Sequence, residues 1–207
     1  MMTHPERSPE RDAAIEAMLP AVPISGWTVR TLLDTAGPDA DLLFPGGAAD
    51  MVETHSDWAD RRMDEAAAAT DLSTLRVPAR VRAVIALRLE QNRPYKEAIR
   101  RGLGLLILPQ NAGLAAKTLA RTVDTIWHAA GDGSADFSWY TKRAILAPIY
   151  SATLLYWLRD DSFEDENTLA FLDRRLAGVG RFTQIRARAQ AAVKRMDPRR
   201  RDASGTI

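Results

Sequence analysis

Nowhere in this chain does a run of alternating β-branched and polar residues occur. The Asp-Gly pair at 132–133 joins two helical patterns instead of two strands. A chain without strand signals must build its core from helices, and apolar residues do return every three or four positions, as in Val81, Val84, Ile85, Leu89 and in Leu119, Val123, Ile126, Trp127. Ser8-Pro9-Glu10 reads as N-cap, N1 and N2 of a first helix running to about Leu19, where Pro20 and Pro23 end it. The spacing predicts further helices over Trp27–Ala36, Asp39–Phe44, Ala48–Thr70, from Pro78 to the break at Asn92-Arg93-Pro94, Tyr95–Leu108 and Leu114–Ala130. One more starts after Asp136 and runs to about Arg159. A last one begins near Phe163 and continues towards Met196, with weak points at Gly178 and Gly180. The fold class is therefore all-α. The short helices at 27–44, joined by tight turns, look like a helix-turn-helix.

With 207 residues, 46% of them apolar, the chain can bury a sizeable core. It contains no cysteine, which removes disulfides and thiolate metal sites and suits a reducing compartment. Its longest charge-free apolar run, Ala144–Leu158, has 15 residues. As a helix it reaches about 22 Å against a bilayer core of about 30 Å. It also holds Pro148, Ser151 and Thr153, so a buried helix is the better reading, with Pro148 expected to kink it and give a pocket room. The N-terminus has neither an apolar signal core nor an Arg-rich, acid-poor composition.

The net charge of +1 hides an asymmetry. Residues 1–75 hold 5 Lys/Arg and 14 Asp/Glu; residues 76–160 hold 13 and 6; residues 161–207 hold 10 and 7. From Thr31 to Asp60 there is no Lys or Arg but seven acids, Asp34, Asp39, Asp41, Asp50, Glu53, Asp57 and Asp60. DNA affinity rests on cations that neutralise phosphates, and base readout needs Arg, Lys, Asn or Gln. A second helix reading "PDADLLF" offers none of these, so nucleic acid is not an expected partner. Catalytic and metal signals are equally thin. The three histidines are His4, His55 and His128. Asp124 and His128 form a lone i,i+4 pair, Glu53-Thr54-His55 has the wrong spacing for helical ligands, and Gly102-Leu103-Gly104 lacks the third glycine of a dinucleotide fingerprint. No catalytic residue, metal or cofactor is expected.

Two features remain. In "DFSWYTKRAILAPIY", Asp136–Tyr150, two adjacent aromatics precede a basic pair. Neighbours on a helix point about 100° apart, so Trp139 and Tyr140 cannot share one core position. Both can still belong to the core at a helix start, or one can serve as an exposed anchor for a partner, with Trp, Tyr and Arg the types enriched at such anchors. Between Arg174 and Arg201, ten basic residues face one acid, Asp197, while Val179, Phe182, Ile185 and Val193 recur at helical spacing. Such a segment can lie on an anionic membrane or simply pack on the core with a solvated face.

The segments "VDTIWHAAGDGSADFSWYTKRAILAPIYSATLLYWLRDDS" and "TLAFLDRRLAGV" closely resemble the family of the ninth coenzyme Q biosynthesis protein, a lipid-binding accessory protein of ubiquinone synthesis. "GWTVRTLLDTAGPDADLLFPGGAADMVETHSDWADRRM" resembles that family's N-terminal part, so the likeness covers about residues 10–180. It implies a TetR-repressor-like all-α fold, usually dimeric, with a vestigial helix-turn-helix over 8–70, a lipid-binding and dimerisation region over 76–180 and a basic amphipathic segment over 181–207. It implies a pocket for an isoprenoid quinone intermediate, for which Leu106, Trp127, Ile149 and Tyr150 are the candidates on apolar faces. The partner it implies is the di-iron demethoxyubiquinone hydroxylase, docked on Asp136, Trp139 and Tyr140 with Lys142 and Arg143 beside them. Membrane contact falls to Arg181, Phe182, Ile185 and Val193. The expected location is the cytoplasmic side of a bacterial inner membrane, and the runner-up role is that of a ligand-responsive transcriptional regulator of the TetR type.

Overall fold

A computed structural model describes residues 4–133 and 137–178, and every regular element in it is helical. The first helix, α1, is Pro9–Met18. Ser8 holds its start in extended backbone, its hydroxyl accepting from the Arg11 amide at 3.2 Å, while Pro9 occupies a position whose N–H would have no helical partner. A one-turn helix α2, Val22–Ser25, occupies the stretch expected to be a break, and Gly26 leaves it at φ 76°, a conformation that favours glycine. Thr28 caps α3, Val29–Ala36. The helix expected over Asp39–Phe44 is only a 3₁₀ turn, Ala40–Leu43, because Pro38 and Pro45 bracket too few residues for α-helical bonding.

The 22-residue α4, Gly47–Ala68, is the spine. Its length of about 33 Å lets it serve two apolar clusters. Met51, Val52 and Trp58 pack with Ile15, Met18, Leu32 and Phe44, whereas Met63 and Ala67 pack with Val84, Ile85, Ile126, Leu146 and Trp157. Then come α5 (Val77–Asn92), α6 (Lys96–Leu106), α7 (Ala112–Ala129), α8 (Phe137–Trp157) and α9, described over residues 166–178. The breaks at Pro94 and Pro109 form as 3₁₀ turns, and Asn111 closes the end of α6 by donating to the Leu105 carbonyl at 2.8 Å. Asp160 starts α9: its carboxylate accepts from the Thr168 amide at 2.7 Å, the Thr168 hydroxyl at 2.6 Å and the Ser162 amide at 3.0 Å. Those bonds hold its pKa far below the usual carboxylate range.

The acids of α4 are not the solvated field that their sequence suggests. Asp50 meets the buried Arg11 of α1 at 2.5 Å, Glu53 meets Arg121 of α7 at 2.6 Å, Asp57 meets Arg7 at 2.7 Å, and Asp60 meets Arg88 of α5 at 2.5 Å. Four of the seven acids between Thr31 and Asp60 are therefore neutralised inside the protein. The charge argument against DNA keeps its other half: the Ala40–Leu43 turn carries no cation, contains Asp41 and is preceded by Asp39. Pro148 sits mid-helix in α8 and is exposed, lining neither the cavity of about 580 Å³ nor the groove of about 970 Å³ beside it.

Candidate functional site

Helices α4 to α8 enclose a cavity of about 580 Å³, within the size range of small-molecule sites. Leu103, Leu106 and Ile107 come from α6 and its end, Ala115, Thr118 and Leu119 from α7, and Tyr150, Ser151, Leu154 and Leu155 from α8. Gly102 makes the near wall possible. A Cβ there would meet Trp27 Nε1 at 3.3 Å and a Val52 methyl at 3.4 Å, so the missing side chain lets α6 lie against α4. Trp27 itself is fixed by donating to the Ala98 carbonyl at 2.9 Å. Of the Gly102-Leu103-Gly104 motif, Gly102 is thus a packing device within α6, while a Cβ at Gly104 would meet nothing within 4 Å.

One end of the cavity is polar. His55 of α4 and Asn92 of α5 line it, 7% and 6% exposed. Arg88 lines it too, held on the far side by Asp60 at 2.5 Å and donating to the Tyr150 hydroxyl at 2.8 Å. Thr122 donates to the second Asp60 oxygen at 3.1 Å. Burial raises the Asp60 carboxyl to about 6, while Asp60 and Tyr150 together push Arg88 up, so the pair stays ionised at neutral pH. Burial, with Arg88 and Arg62 nearby, lowers His55 to about 3, so the ring is neutral.

A second, shallower groove of about 970 Å³ abuts the first. Leu103, Ile107 and Leu155 line both, and Ile107 and Leu155 are exposed. The groove continues past Tyr156 and Phe171, whose rings stack 4.6 Å apart, to Arg100, Arg159 and Asp161.

The aromatic pair forms a separate corner. The end of α7 is a Schellman turn: Gly131 at φ 79°, its amide on the His128 carbonyl and the Asp132 amide on the Trp127 carbonyl. This fixes Asp132, which takes Lys142 at 2.6 Å and Arg143 at 3.6 Å. Arg143 also pairs with Asp124 at 2.5 Å and lies 3.9 Å over the Trp139 ring. Trp139 is half-buried, edge to face with Tyr140 at 4.7 Å, and Tyr140 is 68% exposed. Tyr140 is therefore the outward aromatic.

Of the four pocket candidates, Leu106 and Tyr150 line the cavity, while Trp127 and Ile149 do not. Ile149 faces the core, and Trp127 packs on the core with Lys142 5.6 Å from its ring. Of the corner candidates, Trp139, Tyr140, Lys142 and Arg143 lie together, with both basic groups engaged by Asp132 and Asp124. Asp136 lies outside the described residues, as do Arg181, Phe182, Ile185 and Val193. The residues missed from sequence are His55, Arg88 and Asn92. Among the described residues no group of three or more His, Asp or Glu is placed to hold a metal ion, and no helix is long and apolar enough to cross a membrane.

The walls of the cavity contributed by α7 and α8, and the aromatic corner, fall within residues 112–183, which match the family model described as COQ9. Residues 112–183 form a COQ9-family domain. A ubiquinone biosynthesis protein COQ9 of Xenopus tropicalis, named as mitochondrial, is 44% identical over 97 residues, 47% of this chain and 31% of that protein. The Homo sapiens COQ9 is 43% identical over 96 residues, covering 46% and 30%. The Schizosaccharomyces pombe protein is 32% identical over 145 residues, covering 70% and 57%. The matches thus span about a third to just over half of these COQ9 proteins. A solved TetR transcriptional regulator from Nitrosomonas europaea aligns with a TM-score of 0.68 at 21% identity, over 82% of this chain and 97% of that one. The fold is TetR-like.

Proposed function

We propose that this chain is a lipid-binding accessory protein of ubiquinone biosynthesis. It takes up an isoprenoid quinone intermediate and presents it to the demethoxyubiquinone hydroxylase, which does the chemistry. The observation that carries this reading is the apolar cavity of about 580 Å³ built partly from a COQ9-family domain. Its relatives, named as ubiquinone biosynthesis proteins, support the pathway.

The physical logic is a competition between cavity and bilayer. Each CH₂ kept from water is worth roughly 0.8 kcal/mol in either place, so an apolar cavity can hold a tail that would otherwise stay in lipid. Exposed Ile107 and Leu155 at the mouth give the tail an apolar path. Trp139 and Tyr140 supply the hydroxylase anchor, Tyr140 by its free face and Trp139 as its support. The chain acts as a homodimer at the membrane surface, with Arg181, Phe182, Ile185 and Val193 as contacts, on the cytoplasmic side of a bacterial inner membrane. It binds no nucleic acid, a reading supported by the cation-free Ala40–Leu43 turn.

The test is an organic extract of the purified protein, analysed by mass spectrometry beside an unrelated protein from the same host. An enriched isoprenoid quinone or precursor is expected. An extract holding only the background phospholipid of the control would refute the quinone assignment.

A further inference from the structure

Two side chains in the cavity stand out because their polar atoms have no protein partner among the described residues. His55 Nε2 and the Asn92 side-chain oxygen are both buried and both lack a hydrogen bond. A buried polar group left unmatched is costly, and two in one cavity are a cost that a ligand's polar atoms can remove. They come from α4 and α5, outside the COQ9-family domain, which furnishes the apolar walls of α7 and α8.

The charge of this end sets the kind of group that fits. Arg88 is the basic side chain lining the cavity, and Asp60 and Tyr150 already hold it. The His55 ring is neutral. No net positive charge faces the ligand, so a phosphate would enter with its own charge unmatched and be penalised by desolvation. A hydroxyl or carbonyl meets no such penalty: the neutral imidazole can donate or accept at Nε2 according to its tautomer, and the amide can do both.

We infer that the cavity binds an amphiphile head-first, with His55 and Asn92 holding an uncharged, oxygen-bearing ring and the tail leaving past Leu103, Ile107 and Leu155. Neither His55 nor Asn92 lines the abutting groove, so the head end and the mouth lie on different walls. This rests on the lipid-binding reading above and adds to it the chemistry and orientation of the ligand.

Three probes with the same tail separate the possibilities: 4-hexylphenol, hexylbenzene and hexyl phosphate. Each is titrated calorimetrically into the full-length protein after lipid has been stripped on hydrophobic resin. In the unmodified protein hexyl phosphate should bind at least about tenfold more weakly than 4-hexylphenol. His55→Phe and Asn92→Leu should each weaken 4-hexylphenol about tenfold while leaving hexylbenzene within about twofold, because only the hydroxyl loses a partner. Two different substitutions, each checked for unchanged circular dichroism, guard against one that disturbs folding. If the phenol-to-benzene affinity ratio stays the same in both variants, or the phosphate binds as tightly as the phenol, head-group recognition is overturned while the lipid cavity stands. If none of the three probes binds, the lipid-binding reading falls, and this inference with it.

Discussion

Replacing Arg88 by Met tests the floor of the cavity and carries a pH signature. Arg88 and Asp60 are 5% and 4% exposed, and their ion pair is 2.5 Å long. Methionine fills much of the arginine's volume but leaves Asp60 with the Thr122 hydroxyl and the charge of Arg121 alone to offset its burial. Removing one partner of a buried pair costs about 3–5 kcal/mol, the expected loss at pH 7.5. The loss should shrink as the solution is made more acidic. In the unmodified protein the Asp60 carboxyl, raised from 3.8, titrates at about 6, so it passes from half-ionised at pH 6 to almost fully ionised at pH 7.5. Without Arg88 its folded-state pKa rises further, and over that window the folded variant holds a proton that the unfolded chain has released. A group with a raised folded pKa loses its stabilisation as pH rises. The variant should therefore weaken by about 1 kcal/mol per pH unit on average from 6 to 7.5 relative to the parent, steepening towards about 1.4 as the parent's Asp60 becomes fully ionised. Urea unfolding followed by circular dichroism at pH 6.0, 6.75 and 7.5 measures both numbers. Adding Asp60→Asn to the variant should abolish the slope. A loss below about 1 kcal/mol with no slope would mean that the pair is solvated and that the neutral polar end of the cavity is misdrawn.

Tyr140→Ala should weaken binding to the hydroxylase by about 1–2 kcal/mol in a calorimetric titration with thermal stability unchanged, since the side chain is mostly exposed; unaltered affinity would remove the corner from the interface. Ser151→Phe places a large ring in the cavity wall and should reduce the extractable lipid several-fold, read by mass spectrometry against the parent protein. Arg7, His4 and Arg61 hold the Asp57 carboxyl down at about 2 from 3.8. A depressed carboxylate stabilises above its unfolded pKa and loses that contribution as pH falls, so Asp57→Asn should flatten the acid side of the stability curve between about pH 4 and 2. Asp160→Ala removes three hydrogen bonds at the start of α9 and should cost about 1–2 kcal/mol in denaturant unfolding.

Local signals carried most of the architecture. Ser8-Pro9, Thr28, Pro94, Pro109 and Gly131 act within a turn of where they stand, so the boundaries they mark form close to where the sequence puts them. The Asp39–Phe44 stretch failed for a related reason: between Pro38 and Pro45 the local pattern was right, but the segment was too short for an α-helix. The outward aromatic was legible as an angular constraint, and Tyr140 satisfies it. The cavity was not legible, because its walls come from five helices and periodicity cannot say which flank of a stripe meets which neighbour. Trp127 and Ile149 lie on apolar faces like Leu106 and Tyr150, yet face core partners. His55, Arg88 and Asn92 looked like ordinary polar residues because their burial depends on helices far away in the chain. The acids of α4 misled for the same reason, since the arginines that hold them come from α1, α5, α7 and the segment before α1.

Those paired acids also bear on how this fold can evolve. Asp50, Glu53, Asp57 and Asp60 each grip an arginine, and three of those arginines, Arg11, Arg88 and Arg121, are buried. A single change of any of these acids to lysine would set two like charges against each other inside the protein rather than add one to its surface. Each first step towards an anion-binding face on this helix is therefore a destabilised protein. Selection for stability alone would keep the helix acidic, whatever ligand the cavity beneath it came to hold.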